Sequence, residues 1–359
     1  MRALFAALLT GLLLTRTAGA TPPADTLAAL RRGINITGWF RFPGAVSQDA
    51  LQAWIGDGAL AELRRVGFTF VRLPVDPAIL STPDGPSALV TAIRRLHKAG
   101  LAAVVSLHPN GWHLEAQPAD HERLLATWRR LAPLLKPLDE RRTVAELLNE
   151  PVFPSDVASW QTLQHRLLLD VRQALPGHTL VLTGNDWGSV GGLTHLTPEP
   201  DGNVVYSVHL YEPPELTSLA AWRGGLDRAA LAQLPFPVSD EAACTATGAR
   251  TNPDTAGVIR FYCAQQWDGR RLSGKLAEAA QWARQHGAAV MLGEFGASSA
   301  LNETARLAWL RTVREAAERE AMGWALWGYD DVMGLNVSRP PGNHPALPNP
   351  VLRSLGLNP

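Results

Sequence analysis

The 359-residue sequence has no excess of charge of either sign. Lysine plus arginine and aspartate plus glutamate number 33 each, which leaves a formal net charge of +0. A chain without net charge has no field to recruit nucleic acid or an anionic membrane surface, so we expect a neutral substrate and no nucleic-acid partner. The sequence also lacks internal repeats, heptads, low-complexity tracts and linkers, and its length suits one domain with insertions.

Long apolar runs are absent except at the N-terminus. There Arg2 precedes an apolar stretch, and small residues follow as far as Ala20. This order predicts a secretory signal peptide over residues 1–20, so that the mature chain, 21–359, is secreted or periplasmic and stays off the membrane. The alternative is a membrane anchor, but an anchor needs about 20 apolar residues and Arg16 interrupts this run.

Cysteine is scarce, and both copies lie in one stretch rich in Gly, Pro and Ala, at Cys244 and Cys263. Export permits a disulfide, so we expect these two thiols to pair. A bridge across a loop of this size would contribute about 3 kcal/mol to stability. The alternative is two unpaired, buried thiols.

Tyrosine is also scarce, with four copies against twelve tryptophans. Large aromatic rings pack in protein cores, and their faces also stack on the C–H faces of sugars. The tryptophan count is therefore compatible with a carbohydrate ligand without requiring one.

Short apolar, β-branched runs alternate with segments of helical period from about residue 32 onward. The alternation predicts a parallel sheet wrapped by helices, and eight strand candidates predict a single-domain (β/α)8 TIM barrel. The predicted strands are 33–37, 68–73, 102–107, 144–148, 179–183, 204–208, 289–293 and 324–327. The predicted helices include 87–99, 121–135, 159–175, 272–286 and 303–318.

The connection after the sixth strand, over about residues 212–269, is long and rich in Pro, Gly and Ala. A connection of this length is usually functional or disordered. The loops that follow the strands of a barrel lie on its C-terminal face, where the chemistry takes place. We therefore expect this insertion to form a wall of a cleft on that face.

Polar residues collect at the C-terminal ends of six of the eight predicted strands, which should bring them into one ring. Two of them, Glu150 and Glu294, each follow an apolar run, where a carboxylate is costly to half-bury unless it is paired or functional. The other members of the ring are Arg72, His108, Asn149, His209, Tyr211 and Trp327. Each alone could be structural, but the whole set favours a site.

The segments around this ring resemble those of glycoside hydrolase family 5, the cellulase family of retaining (β/α)8 glycosidases. They span residues 71–327, and the insertion after the sixth strand departs from compact members of that family. The matching segments are Val71-Arg72-Leu73-Pro74, Leu107-His108, Leu148-Asn149-Glu150-Pro151, Val208-His209-Leu210-Tyr211, Leu292-Gly293-Glu294-Phe295-Gly296 and Trp324-Ala325-Leu326-Trp327.

The resemblance implies a double displacement in which Glu150 is the general acid/base and Glu294 the nucleophile, without a cofactor or metal. Retention of configuration requires the two carboxyl groups to lie about 5 to 5.5 Å apart. Arg72 and the Tyr211 hydroxyl would stabilise the charged form of Glu294.

The resemblance also implies roles in substrate binding for the rest of the ring. Asn149 would bind the sugar 2-hydroxyl, His108 and His209 would hold the carboxyl groups and sugar in register, and Trp327 would be the floor of the subsite.

Further residues lie near the same end of the predicted barrel. Trp39, Trp112 and Trp187 could stack on neighbouring sugars, or pack in the core. Four polar residues could bind hydroxyls or serve only as turn residues; they are Asn110, His113, Asn185 and Asp186. Glycosylation sequons begin at Asn35, Asn302 and Asn336.

Two other classes of protein compete with this interpretation. A metal-dependent hydrolase could use His108, His113 and His209 as zinc ligands, but strand 33–37 offers no His-x-His pair. A catalytically inactive, secreted glycan-binding protein would be expected to have lost Glu150 or Glu294, and both are present.

Among enzymes, we expect a monomer that cleaves internal β-1,4-glucosidic bonds of a β-glucan. The alternatives are a β-mannanase, a β-1,3-glucanase or a xyloglucanase. The motifs define the catalytic centre rather than the sugar.

Overall fold

Eight parallel strands close into a barrel in the order β1 to β8, with β1 paired to β8. The computed structural model describes residues 21–154 and 156–359, and the predicted signal peptide lies outside them. The strands are β1 Arg32–Asn35, β2 Phe70–Val75, β3 Ala102–Leu107, β4 Thr143–Glu146, β5 Leu180–Thr183, β6 Val204–Leu210, β7 Ala289–Phe295 and β8 Gly323–Leu326. The predicted (β/α)8 fold is confirmed.

Helices surround the barrel, and amphipathic ones such as Gly85–Lys98 bury an apolar face of alanine, leucine and isoleucine against the strands. In chain order they are α1 Ala24–Ala29, α2 Thr37–Phe40, α3 Gln48–Ala53, α4 Asp57–Val66, α5 Pro77–Leu80, α6 Gly85–Lys98, α7 Pro118–Leu135, α8 Val157–Ala174, α9 Asn185–Gly188, α10 Val190–Thr194, α11 Pro214–Thr217, α12 Arg228–Leu231, α13 Glu241–Ala246, α14 Pro253–Ala264, α15 Gly269–His286, α16 Glu303–Arg319 and α17 Asn349–Ser354. Among the described residues, no helix is both long and apolar enough to cross a membrane.

The first strand ends two residues earlier than predicted. The carboxylate of Asp330 accepts hydrogen bonds from the backbone N–H of Thr37 at 2.9 Å and from that of Gly38 at 2.7 Å. These bonds satisfy the free N–H groups at the start of α2, so the chain turns into a helix there instead of continuing as a strand.

The inside of the barrel near the N-terminal ends of the strands is apolar. We call this set the basal layer; it consists of Phe70, Ala102, Val104, Val144, Val181, Val205, Met291 and Ala325, all buried. Phe70 fills the space beside Gly33, where a Cβ atom would come within 2.2 Å of the ring. The absence of a side chain at Gly33 therefore lets the phenylalanine occupy the barrel interior.

The insertion after β6, expected from its length to be functional or disordered, contains four helices, α11 to α14. Cys244 and Cys263, the two cysteines expected to pair, form a disulfide with 5.7 Å between their Cα atoms. The Tyr262 hydroxyl donates to the Pro235 carbonyl at 2.6 Å, and the Asn302 amide donates to two carbonyls of the insertion. The insertion is thus held by internal links and by hydrogen bonds to the residue that precedes α16.

Candidate active site

A second layer of inward-facing residues, two positions further along the strands than the basal layer, is polar. We call it the polar layer; it consists of Asn35, Arg72, Ser106, Glu146, Thr183 and Ser207, all buried. Because side chains of a strand return to the same face every second residue, both layers point into the barrel. The polar layer lies beneath the C-terminal face.

Arg72 connects the polar layer to the candidate catalytic residues. Its guanidinium donates to both oxygens of Glu146 at 2.6 and 2.7 Å and to Oε1 of Glu294 at 2.6 Å. Its remaining N–H groups donate to Asn35, Ser106 and Asn149. Burial disfavours the charged guanidinium, but the carboxylates of Glu146 and Glu294 outweigh it and raise the pKa of Arg72. The guanidinium is thus a permanent cation.

Glu294 is buried at the end of β7, with both carboxylate oxygens occupied. Oε1 accepts from Arg72, and Oε2 accepts from the Tyr211 hydroxyl at 2.9 Å. Burial and the negative charge of Glu294 raise the pKa of Tyr211 well above its usual value. The phenol therefore stays protonated and can keep donating to Glu294.

A β-bulge between β6 and β7 places Glu294 beside His209. The pairing register shifts after Val208, so that His209 pairs with Glu294 and Gly293 is the extra residue. A Cβ atom on Gly293 would come within 2.1 Å of the Ser207 hydroxyl oxygen. Only glycine fits here without a shift of Ser207.

Glu150 lies in the loop after β4, with 29% of its side chain exposed against 4% for Glu294. His209 Nδ1 lies 2.8 Å from Glu150 Oε1 and 3.6 Å from Glu294 Oε2. Burial lowers the pKa of His209, but the charges of Glu294 and Glu150 outweigh it and the pKa is raised. One oxygen of each carboxylate and one histidine nitrogen all lie within 4.8 Å of one another.

Trp327 and His108 form the neighbouring wall. Their rings stack with centroids 5.9 Å apart and planes inclined by 19°. Burial lowers the pKa of His108 well below its usual value, with Arg72 and Arg41 adding to the effect, so the imidazole is neutral. Trp327 is half-buried and His108 is buried.

A cavity of about 360 Å³ opens beside Glu150. Trp112 and Trp187 line it together with His108, Asn149 and Glu150. Arg123 covers one face of Trp112, with its guanidinium carbon 4.3 Å from the ring centre. Among the described residues, none of those that line this cavity belongs to the insertion.

The structure contradicts the expected role of Trp39 as a stacking platform. Trp39 is fully buried, its indole N–H donates to the Leu51 carbonyl at 2.7 Å, and its ring stacks on Trp54. The short helix α2 turns this residue into the core, so it offers no ring face to a sugar.

Asn185 is likewise structural, because its side-chain amide both accepts from and donates to the backbone of Phe153. Two other rim residues, Asn110 and Asp186, are exposed. The Asn110 amide donates to the Asp76 carboxylate at 2.7 Å, and the Asp186 carboxylate accepts from the Ser189 hydroxyl.

The proposed zinc ligands do not assemble. His113 is exposed and lies 3.4 Å from Glu115. Within residues 21–154 and 156–359, the only group of three or more potential ligands is Glu150, His209 and Glu294. Both oxygens of Glu294 already accept hydrogen bonds, one of them from a guanidinium, and a nearby cation disfavours a metal ion electrostatically.

Sequence reasoning missed four residues of the site. Glu146 lies inside a predicted apolar strand two residues after Val144, and a glutamate facing inward there was the available signal. Asn35 was recognisable only as a sequon, although its amide donates to two backbone carbonyls. No pattern marked Ser106 or Arg41.

A closed (β/α)8 barrel with two facing carboxylates at the C-terminal face is the architecture of the barrel glycoside hydrolases. Residues 34–330 of the chain match the model of the family described as Cellulase (glycosyl hydrolase family 5). The chain belongs to this family, which confirms the resemblance seen in its motifs.

Curated relatives and solved structures agree with this assignment. Endoglucanase 3 of Fibrobacter succinogenes is 25% identical over 332 residues, which cover 84% of this chain and 49% of that protein. Endoglucanase C of Acetivibrio thermocellus is 24% identical over 321 residues, 84% of this chain and 92% of that protein. The chain thus spans about half the length of the first relative and most of the second.

Among solved structures, a hyperthermophilic endo-beta-1,4-glucanase in complex with substrate matches with a TM-score of 0.73 at 20% identity. The match covers 92% of this chain and 98% of that chain. Cel5A of Thermotoga maritima in complex with mannotriose matches with a TM-score of 0.72 at 21% identity, over 92% and 99%. These likenesses show the fold.

Proposed function

We propose that this chain is a retaining glycoside hydrolase that cleaves internal β-1,4-glucosidic bonds by double displacement. The observation that best supports this is the separation of the two carboxylates. Oxygens of Glu150 and Glu294 lie within 4.8 Å of each other, close to the roughly 5 to 5.5 Å of retaining enzymes and below the roughly 6.5 to 9.5 Å of inverting ones.

In the first step Glu294 attacks the anomeric carbon while the bond to the leaving oxygen breaks and Glu150 gives that oxygen its proton. The product is a glycosyl ester on Glu294. In the second step Glu150 takes a proton from water, the resulting hydroxide attacks the anomeric carbon, and the ester bond breaks. Both carboxyl groups return to their starting states.

The surroundings of the two glutamates differ in the way that these roles require. Glu294 faces the Arg72 guanidinium and the Tyr211 hydroxyl, and both donors stabilise a carboxylate. Glu150 is the more exposed and contacts neither. When Glu294 becomes an ester its charge is lost, so Glu150 no longer faces a second negative charge and can act as a base.

Two further residues are placed to bind the sugar at the point of cleavage. The Asn149 side-chain oxygen accepts from Arg72 at 2.8 Å, which leaves its amide N–H groups for a sugar hydroxyl. Trp327 is half-buried beside the neutral His108, so it can support the apolar face of a sugar ring. Both contacts belong to the proposed −1 subsite.

The names of the curated relatives, endoglucanases in two organisms, support a β-glucan as substrate. Reducing-sugar release from carboxymethylcellulose, mannan, laminarin and xyloglucan, measured side by side, tests this choice. We expect the fastest release from carboxymethylcellulose. Activity on mannan alone would replace the glucanase by the alternative β-mannanase.

The mechanism is tested by Glu150→Gln and Glu294→Gln. We expect each to reduce turnover by at least about 10²–10⁴-fold, the typical contribution of one catalytic group, with substrate binding kept. Proton NMR of the first product should show the β-anomer before mutarotation. An α-anomer as first product would contradict retention, and near-normal turnover by either variant would contradict its assigned role.

We also propose that the chain is secreted or periplasmic. The apolar N-terminal stretch and the disulfide between Cys244 and Cys263 support this, because disulfides persist mainly in oxidising compartments. Fractionation of the producing cell, with activity found in the cytoplasm alone, would contradict it.

A further inference from the structure

Arg41 is a cation in the cleft that the double displacement does not use. It follows helix α2 at the C-terminal face and lines the same cavity as Glu150 and Asn149. Arg72 already holds Glu294 from below, so the reaction requires no second arginine. The presence of Arg41 at this place therefore needs another explanation.

The guanidinium of Arg41 lies above aromatic rings at the position of the proposed subsite. Its central carbon is 5.8 Å from the ring centre of Trp327 and 4.9 Å from that of Phe42. A sugar resting on Trp327 would come within reach of its N–H groups. Arg41 is thus placed to contact a sugar at this position in addition to the two rings.

Arg41 is unpaired within residues 21–154 and 156–359. There its Nε is buried without a hydrogen-bond partner, and no carboxylate forms an ion pair with it. Arg72 provides the contrast, because two carboxylates and three further oxygens accept its N–H groups. Arg41 is half-exposed, so it has lost part of its hydration without gaining an acceptor.

The charges around Arg41 indicate which kind of ligand would compensate its positive charge. Burial lowers the pKa of Arg41, and the charges of Glu294 and Glu150 only partly oppose this. A carboxylate is the ligand that a guanidinium binds most strongly, through two parallel N–H···O bonds. Sugar hydroxyls could accept the same bonds but would leave the positive charge unbalanced.

We propose that Arg41 binds a carboxylate on the glycan, on the sugar above Trp327 or its neighbour, so that an acidic β-glycan is preferred over a neutral one. This inference rests on the proposed glycosidase function and refines its substrate. It also revises the expectation of a neutral substrate drawn from the net charge, because net charge does not report the charge of one cleft.

The test compares two soluble substrates of matched chain length, cellulose oxidised at C6 to contain glucuronic acid and hydroxyethylcellulose. The proteins are the wild type, Arg41→Met, Arg41→Lys and Arg31→Met. Arg31 is an exposed arginine at the opposite end of the barrel, so its variant removes the same charge from the chain without touching the cleft.

We expect Arg41→Met to lower kcat/KM on the oxidised substrate by about 10-fold or more, because this is the usual effect of losing a charge-assisted hydrogen bond. On hydroxyethylcellulose the same variant should lower kcat/KM by less than about 3-fold. Arg41→Lys should retain part of the preference, and Arg31→Met should retain all of it. An equal loss on both substrates, or no loss on either, would overturn the inference.

A binding measurement separates this inference from the proposed function. Calorimetry compares binding by Glu294→Gln and by the double variant Glu294→Gln/Arg41→Met. The double variant should bind cello-oligosaccharides oxidised at C6 about 10-fold more weakly. The two proteins should bind unoxidised cello-oligosaccharides about equally. If the wild type hydrolyses neither polymer, the glycosidase proposal fails while this binding difference still decides the role of Arg41. Equal binding of both ligands would refute that role even in an active enzyme.

Discussion

The basal and polar layers share strands β2 to β6 and both face the inside of the barrel, yet their side chains have opposite requirements. Val144 and Glu146 are two residues apart on β4, and both are buried. Val144 needs only neighbours of matching shape. Glu146 needs partners for two charged oxygens, and Arg72 supplies both.

The difference shows that the candidate catalytic residues depend on a residue with no chemical role. Glu146 does not reach the substrate side, but it balances the buried charge of Arg72 so that Arg72 can hold Glu294. A buried ion pair of this kind contributes little net stability and is strongly destabilising when broken. The basal layer stabilises the barrel, whereas the polar layer orders the site.

The largest effect should come from Glu146→Leu. This substitution removes the Glu146 carboxylate, which accepts hydrogen bonds from Nε and Nη2 of Arg72. Breaking a buried ion pair costs about 3–5 kcal/mol. We expect the free energy of unfolding, measured in urea, to fall by that amount, and kcat to fall with it because Arg72 can move away from Glu294. Glu146→Gln is the matched control, since it keeps one acceptor oxygen and should lose less of both.

Wild-type stability in Glu146→Leu would show that Arg72 needs only Glu294 as its partner. The contrast between the layers would then be weaker than the hydrogen bonds indicate.

A smaller effect, confined to stability, should come from Val181→Ala in the basal layer. Val181 pairs in register with Glu146, so it is the neighbour of Glu146 on the adjacent strand. Removing two buried carbon atoms should cost about 2 kcal/mol, measured by urea denaturation, with kcat per folded molecule unchanged. A fall in kcat would mean that basal packing also positions the carboxylates.

The contrast between the layers also explains what the sequence could predict. The barrel was predictable because apolar strands alternating with amphipathic helices define it. The ring members were predictable because each lies at, or just after, the predicted C-terminal end of such a strand. Glu146 and Ser106 were hidden because each lies inside a strand, where the apolar neighbours dominate the pattern. Only closure of the barrel brings them to Arg72.

Trp39 and the insertion show a different limit. Trp39 follows a predicted strand, as catalytic-face residues do, but Asp330 starts a helix there and turns the ring inward. Three helices of the insertion, α11 to α13, have only four to six residues. Side chains of Asp227, Asp240 and Asn252 cap α12, α13 and α14. Apolar periodicity cannot reveal a helix of one or two turns, because its signal needs a longer window.

The smallest effect should be a difference in pH dependence between a basal-layer residue and His209, which lies two residues beyond Ser207 of the polar layer on β6. The pKa of His209 is raised by Glu294 and Glu150 against the opposing effect of burial. A group whose pKa is higher in the folded than in the unfolded chain stabilises the fold when it is protonated. For a histidine this stabilisation is complete below the unfolded pKa of about 6.5. It is lost as the pH rises through the pKa of the folded state. His209→Gln should therefore destabilise the protein more at about pH 5.5 than at about pH 9.

The matched control is Val181→Ala, because no member of the basal layer titrates and its destabilisation should be the same at both pH values. His97 and His178 have lowered pKa values and oppose the trend, but they are present in every variant and cancel in the difference. The pKa of His108 is lowered first by burial, then by Arg72 and Arg41, and least by His209, so replacing His209 leaves the main causes in place. Urea denaturation of the three proteins at both pH values measures this. If His209→Gln and Val181→Ala respond alike, His209 does not gain charge stabilisation from the two carboxylates.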